Sequence, residues 1–366
     1  MKKNQWILGL VVLLALIALV VWGRGRIHFD FSVFRAQLAL ANWPRIAFAT
    51  GCIYFGYVFR SVRWAMLLRH NKKVPPLSLL GTQVIGFAAV ALIGRIADPV
   101  RPYLVSRKTR LPLTNQIAVY IVERLFDAGA MALIFSSVIV LTGWFGEPGA
   151  LPHAEIVRQA GNWGLILTIL GACFLVAVRM AGSMVATFFE RGFGLLSARL
   201  GQAAGNKIRT FRSGLDTMRT FADFSIVAGL SIGMWLLIAL AYMETMRAFT
   251  ASPELAQITP ARSVLLMAVS GVSSSIQLPV LGWFTQIGVV AATLVSFFGA
   301  SPEASTACAA TLLLVTFISI IPIGVVWARF EHVSMRRVAL ESEQAGEEIS
   351  PESPADAPGA AADRTV

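Results

Sequence analysis

The stretch ALIGRIADPVRPYLVSRKTR, Ala91–Arg110, decides how the chain is read. It closes a run of 21 uncharged residues, Val74–Gly94, and then carries five basic residues, one aspartate and two prolines. The uncharged run meets the roughly 20 residues that a helix needs to cross about 30 Å of hydrocarbon. A full crossing, however, would put the basic cluster on the side opposite the basic segment 60–73, which holds Arg60, Arg63, Arg69, Lys72 and Lys73. Basic loops collect on the cytoplasmic side. Both flanks are therefore read as cytoplasmic, with the chain dipping in through Leu79–Gly94 and returning through the proline-broken stretch 95–110. Irregular backbone at membrane depth needs protein or a watery cavity around it, so the cluster reads as a cavity-lining turn that faces the cytoplasm.

Composition places the whole chain in the bilayer. Of 366 residues, 56% are hydrophobic and 14% charged, with a mean hydropathy of +0.68, whereas a soluble domain carries about 25% charged residues. Further uncharged runs cover Asn4–Gly23, Ala128–Gly146, Ser225–Met243, Ser263–Pro302 and Ala304–Ala328, and Gln159–Met180 is broken only by Arg179. No alternating barrel pattern is visible, so the spans are helices. The first run follows Lys2 and Lys3, lacks a small-residue cleavage site, and reads as an uncleaved membrane helix. Cys52, Cys173 and Cys308 lie in apolar runs without metal-ligand spacing, and no metal or cofactor is expected. Net charge is +11, but the tail from Glu341 holds seven acids and one arginine, leaving +17 on residues 1–340. That basicity fits loops facing anionic headgroups; nucleic-acid binding is not expected, since no soluble basic domain is present.

Charge also orders the spans. Segment 179–224 carries seven basic residues and reads as cytoplasmic, whereas 143–160 carries two acids and Arg158 and reads as external. Ser263–Pro302 is interrupted by SSSIQLPVLGW and returns to its own side. The expected fold is an all-α polytopic membrane protein with six full crossings and two re-entrant broken elements in an inverted repeat, or about eight spans if those elements cross fully. The expected divisions are 1–142, a first repeat; 143–328, a second repeat that includes a cytoplasmic amphipathic segment 183–224; and 329–366, a tail disordered from about 341. In such repeats the site lies where the broken helices meet.

Three groups of residues can carry chemistry. Arg95 and Arg101, about one to two turns apart beside Asp98, can hold a phosphate through paired hydrogen bonds; ordinary juxtamembrane anchoring explains basic residues equally well. Glu123 and Asp127 share a helix face with Arg124 beside them, and ionisable residues within a span are functional candidates. They read as an ion-coupling pair or an internal network. The second broken element offers Ser274, Gln277, Pro279, Gly282 and Gln286, which can pack helices closely or leave backbone free for a ligand.

At these residues the chain resembles the lysylphosphatidylglycerol synthase transmembrane-domain family, which includes the flippase part of bacterial multiple-peptide-resistance proteins. The carrying motifs are RSVRWAMLL from Arg60, GRIADPVRPYLV from Gly94 and VERLFD from Val122, similar to R-x-x-R-W, G-R-x-G-E-x-x-R and E-R-x-x-D. Arg95, Arg101, Glu123, Arg124 and Asp127 match; Asp98 stands in place of glutamate and Ala97 in place of glycine. LPVLGWFTQIG, from Leu278, resembles the proline- and glycine-rich motif of the second half, but the glutamate expected soon after it is absent. The resemblance implies lipid translocation, with Arg95, Arg101 and Arg124 on a lipid phosphate.

The expected function is thus flippase-like transport of a phospholipid or polyprenyl-phosphate-linked lipid across the bacterial inner membrane, both termini cytoplasmic, by a protein that is not an enzyme. The expected partners are membrane lipids with anionic headgroups, and a homo-oligomer is left open. The alternatives are a non-transporting scaffold for an envelope-biogenesis complex and a lipid headgroup or glycosyl transferase. The second is disfavoured by the short tail and by few, unclustered histidines.

Overall fold

In a computed structural model, residues 29–145, 154–194, 220–274 and 281–331, with the isolated positions 197 and 202, are described. The run Asn4–Gly23, most of the amphipathic segment, Gln277, Pro279 and the tail lie outside them. The described chain is helical, with no strand among the described residues. Helices α1 (Phe31–Ala39), α2 (Trp43–Leu68), α3 (Leu80–Ile93), α4 (Val100–Thr109), α5 (Leu113–Phe145) and α6 (Ala154–Gly194) come first. They are followed by α7 (Phe221–Arg247), α8 (Pro253–Ala256), α9 (Pro260–Ser273), α10 (Leu281–Phe298), α11 (Pro302–Leu313) and α12 (Ile320–Phe330). The protein is a multi-pass, all-α membrane protein. Pro76–Ile93, Leu113–Leu141, Phe221–Arg247 and Pro302–Phe330 are each long and apolar enough to cross a bilayer.

Helices α2 and α7 form the antiparallel centre. The Asn42 carboxamide caps α2 and its backbone N–H donates to Ala248 at the end of α7, at 2.8 Å. Thr220 and Asp223 close a capping box at the start of α7. Two ion pairs mark the ends: Arg45–Glu244 at 2.9 Å and Arg69–Asp223 at 2.7 Å. Between them Gly56 faces Met234 and Gly233 faces Phe59, small residues letting the backbones approach.

The first broken element doubles back as the charge pattern predicts. Helix α3 has 14 residues and α4 has 10, about 21 and 15 Å at 1.5 Å per residue. Between them Gly94 adopts φ 87° and ψ −167°, a region that only glycine enters readily. A 3₁₀ turn, Arg95–Ala97, follows. Pro99 and Pro102 sit at the start of α4, where a missing N–H breaks no helical bond. Both ends of the element lie at the Arg69 end of the molecule: Lys72 donates to the Thr109 carbonyl at 2.9 Å, Glu331 pairs with Lys108 at 2.6 Å, and Trp327 and Glu331 lie against Gly81.

The second broken element enters from the Arg45 end. Arg247 donates to the Ile258 carbonyl just before α9, at 3.0 Å. Arg262, in the first turn of α9, lies 5.7 Å from the ring of Phe298, the last residue of α10. The two tips meet: Trp283 Nε1 donates to the Ala91 carbonyl at 3.1 Å, and Arg95 Nε to the Ser274 carbonyl at 3.1 Å.

Packing is preserved when the halves are exchanged. Helix α3 packs on α12 and α4 on α5; correspondingly α9 packs on α5 and α10 on α11. Helix α6, with 41 residues, is about 60 Å long and runs without a break past Arg179 to Gly194, through positions 183–194 of the expected amphipathic segment. It packs antiparallel on α5, Gly164 against Ser136 and Gly161 against Ile139. Its outer side presents exposed Trp163, Leu167 and Leu170, the apolar surface that lipid tails solvate.

Candidate functional site: a cleft with one charged wall

Helix α2 projects Arg60 and Arg63 inward, one turn apart, and α5 projects Glu123, Arg124 and Asp127. Arg63 binds both acids, Nη2 to Glu123 at 2.8 Å and Nη1 to Asp127 at 2.7 Å, and also donates to Ser231 Oγ on α7 at 2.7 Å. Arg101 reaches the same Glu123 oxygen at 3.0 Å. Arg60 lies 3.4 and 3.5 Å from Glu123 and Asp127, and Arg124 lies 3.3 Å from each. Arg63, Arg101 and Glu123 are at most 1% exposed. Phe87 and Tyr120 lie over the Arg101 guanidinium, at 4.4 and 5.0 Å. Removing one of its fully buried members, Arg63 or Arg101, costs about 3–5 kcal/mol, because it strands the opposite charge.

This network backs a cleft of about 160 Å³, bounded by α2, the two broken elements, α5, α7 and the α11–α12 junction. One wall is ionic, with Arg60, Arg95, Asp98, Arg124 and Asp127; the facing wall includes Met234, Trp235, Ile238, Met267 and Phe317. Every charged residue of the lining belongs to the first half. The second half contributes neutral polar groups: Tyr242 donates to Ser270 Oγ at 2.8 Å, as does Gln286 Nε2 at 3.1 Å. Beside them the α11–α12 junction is a π turn, Leu314–Ile318, whose Thr316 and Phe317 line the cleft. Such single-turn insertions recur at functional sites.

The expected site residues separate into layers. Arg95 and Arg124 line the cleft, Arg95 beside Asp98 at 3.7 Å. Arg101 does not: it stands behind the wall, fully buried, and holds Glu123. Asp127 lines the cleft whereas Glu123 does not. Ser274 accepts from Arg95 Nη2 at 3.2 Å, Gln286 lines the cleft, and Gly282 is buried beside it. Arg60 and Arg63 were legible only as cytoplasmic markers and as part of a motif. Their position nine and six residues before Arg69, the next charge along the chain and an exposed one, inside an apolar helix, is the signal that places them within the fold. Gln83 and Gln116, which flank the network, carried no signal.

The fold and the cleft define a polytopic membrane protein with an internal amphipathic chamber between two broken helical elements. A family model described as the lysylphosphatidylglycerol synthase TM region matches residues 6–324, and the chain belongs to that family. No curated protein and no solved structure matches it.

Proposed function

We propose that this protein moves a lipid with an anionic phosphate headgroup, a phospholipid or a polyprenyl-phosphate-linked lipid, between the leaflets of a bacterial inner membrane. The observation that carries this reading is the cleft's mixed lining: the guanidiniums of Arg60, Arg95 and Arg124 together with the apolar side chains of Met234, Trp235 and Ile238. Arg60, Arg63, Arg95, Arg101 and Arg124 face only Asp98, Glu123 and Asp127, a surplus of two positive charges in the interior of a membrane protein. A lipid phosphate offsets that surplus through charge-assisted hydrogen bonds and its tails lie along Met234, Trp235 and Ile238. In this reading Arg60, Arg95 and Arg124 contact the headgroup, and Arg63 and Arg101 position the acids.

The orientation follows from charge. The end of the molecule with Arg69, Lys72, Lys73, Arg107, Lys108, Arg110, Arg191 and Arg329 holds three acids, Glu190, Asp223 and Glu331, among the described residues. The opposite end balances Arg35, Arg45, Arg247 and Arg262 with Asp30, Glu244, Glu254 and Glu303. The first end is therefore cytoplasmic, and with Asn4–Gly23 as a crossing both termini are too.

Leaflet exchange of fluorescent anionic phospholipid and polyprenyl-phosphate analogues in proteoliposomes tests the proposal. Exchange by the wild type that Arg124→Ala loses supports it. No exchange of any anionic lipid by folded protein overturns it.

A further inference from the structure

Behind the cleft wall lies a second polar centre, none of whose polar residues lines the cleft. Gln83 and Gln116 are fully buried, as is Arg101. Gln83 Oε1 accepts from Arg101 Nη1 at 3.4 Å, and Gln116 Oε1 accepts from Trp64 Nε1 at 3.0 Å. Both of those partners can only donate, so each carboxamide must turn its oxygen toward them and its NH₂ away. The Nε2 atoms of Gln83 and Gln116, Nε and Nη2 of Arg101, and Nε of Arg63 are then buried without a hydrogen-bond partner. Against these five nitrogens stand two buried carboxylate oxygens without a hydrogen-bond partner, Oε2 of Glu123 and Oδ2 of Asp127, and the latter already lies 3.3 Å from Arg124. Buried donors left unpaired are costly, and Trp64, bonded to Gln116 and 5.8 Å from the Arg101 guanidinium, ties those of Gln116 to those of Arg101 and Gln83, so that a ligand is called for.

We propose that this centre binds a small monovalent anion of the halide class, held by Arg101, Gln83 and Gln116. A cation is excluded by the donors and by the surplus of guanidiniums. Water fits poorly, since it must place two hydrogens of its own in a network where free donors outnumber free acceptors. An anion only accepts. It also completes the charge balance: a phosphodiester in the cleft offsets one of the two surplus positive charges, and the anion behind the wall offsets the other. Trp64, Phe87 and Tyr120 line the guanidinium of Arg101 at 5.8, 4.4 and 5.0 Å, keeping the centre out of contact with the bulk.

The test uses the full chain purified in detergent, without added lipid, so that its outcome is separate from that of the transport proposal. Thermal unfolding is followed in sodium gluconate with chloride or bromide substituted at constant ionic strength, alongside ³⁵Cl line broadening. A saturable rise in unfolding temperature with halide, and line broadening that bromide competes away, are expected. In Gln116→Leu, which removes one donor and keeps Arg101, halide affinity should fall about tenfold or more, the weight of one hydrogen bond to a charged group. Gln83→Leu should do the same, and it serves where the first variant does not fold. Unfolding and line width that ignore halide overturn the proposal, and so does halide binding that both folded variants retain unchanged.

Discussion

Arg95 at the tip of the first broken element donates from Nε to the carbonyl of Ser274 at the tip of the second, at 3.1 Å. One half of the chain thus touches the other through main chain, at the cleft, where the two elements entering from opposite ends terminate. The side chain of Ser274 adds a second bond, from Arg95 Nη2 at 3.2 Å.

Because the first of these bonds uses a carbonyl, Ser274→Ala leaves it in place. That variant should lose less than about 1 kcal/mol of stability, one ordinary hydrogen bond, and keep most of its leaflet exchange. Arg95→Ala removes both bonds and a cleft cation, and should depress exchange at least tenfold. Exchange equally reduced in both variants would show that the hydroxyl, rather than the guanidinium, matters.

Arg63 is held by two carboxylates and a hydroxyl while lying 1% exposed. Arg63→Ala should destabilise the protein by about 3–5 kcal/mol, and Arg63→Lys should recover only part of this, since an ammonium cannot span both acids as a planar fork does. Arg124, whose side chain is 31% exposed, should behave differently: Arg124→Ala costs about 1 kcal/mol or less yet abolishes exchange. Unfolding in denaturant measured beside transport separates the two residues.

Gly94 turns the chain at φ 87°, so Gly94→Ala strains the backbone by about 1–3 kcal/mol. Gly86 is constrained differently: a Cβ there would overlap the Arg101 side chain. Gly86→Ala should therefore displace Arg101 from Glu123 and cost about 1–3 kcal/mol of overpacking. Gly51, with open space around its would-be Cβ, is the control, and Gly51→Ala should be neutral or slightly stabilising. Thermal unfolding of the three variants in detergent checks the order.

Single cysteines in a background free of Cys52, Cys173 and Cys308 test the doubling-back directly. Lys73→Cys and Arg110→Cys flank the first broken element and should be labelled by a membrane-impermeant reagent from the same side, Glu254→Cys from the other. Labelling of Lys73→Cys and Arg110→Cys from opposite sides would mean that Val74–Thr109 crosses the bilayer.

The doubling-back was legible because two independent signals agreed on Val74–Arg110: basic residues on both flanks, and Gly94 and Pro99 where a helix must stop. The acids of α5 were legible as well, since two carboxylates four residues apart in an apolar helix must find cations within the fold. Their depth was not, because a 33-residue helix has slack in a bilayer, and only the arginines on α2 and α4 fix where Glu123 sits. Arg101 shows the same limit from the other side. Its spacing from Arg95 suits a shared phosphate, but the 3₁₀ turn Arg95–Ala97 and the start of α4 at Pro99, which lie between them, send one guanidinium into the cleft and the other behind it. Arg60 and Arg63 were read as membrane-surface charge because the positive-inside rule accounts for a basic segment without needing a partner. Their carboxylate partners lie about 60 positions further along the chain, and that pairing is a property of packing.

Corresponding packing in the two halves goes with unequal electrostatics. In a transporter built from like repeats, tipping one half against the other exchanges two conformations of similar energy. Among the described residues every cleft charge belongs to the first half, so in the proposed function an anionic headgroup is bound to that half. On the transport proposed above, the second half, which brings no charge to the cleft among the described residues, is the part that moves past the bound headgroup, and the two end states differ in energy even without a gradient.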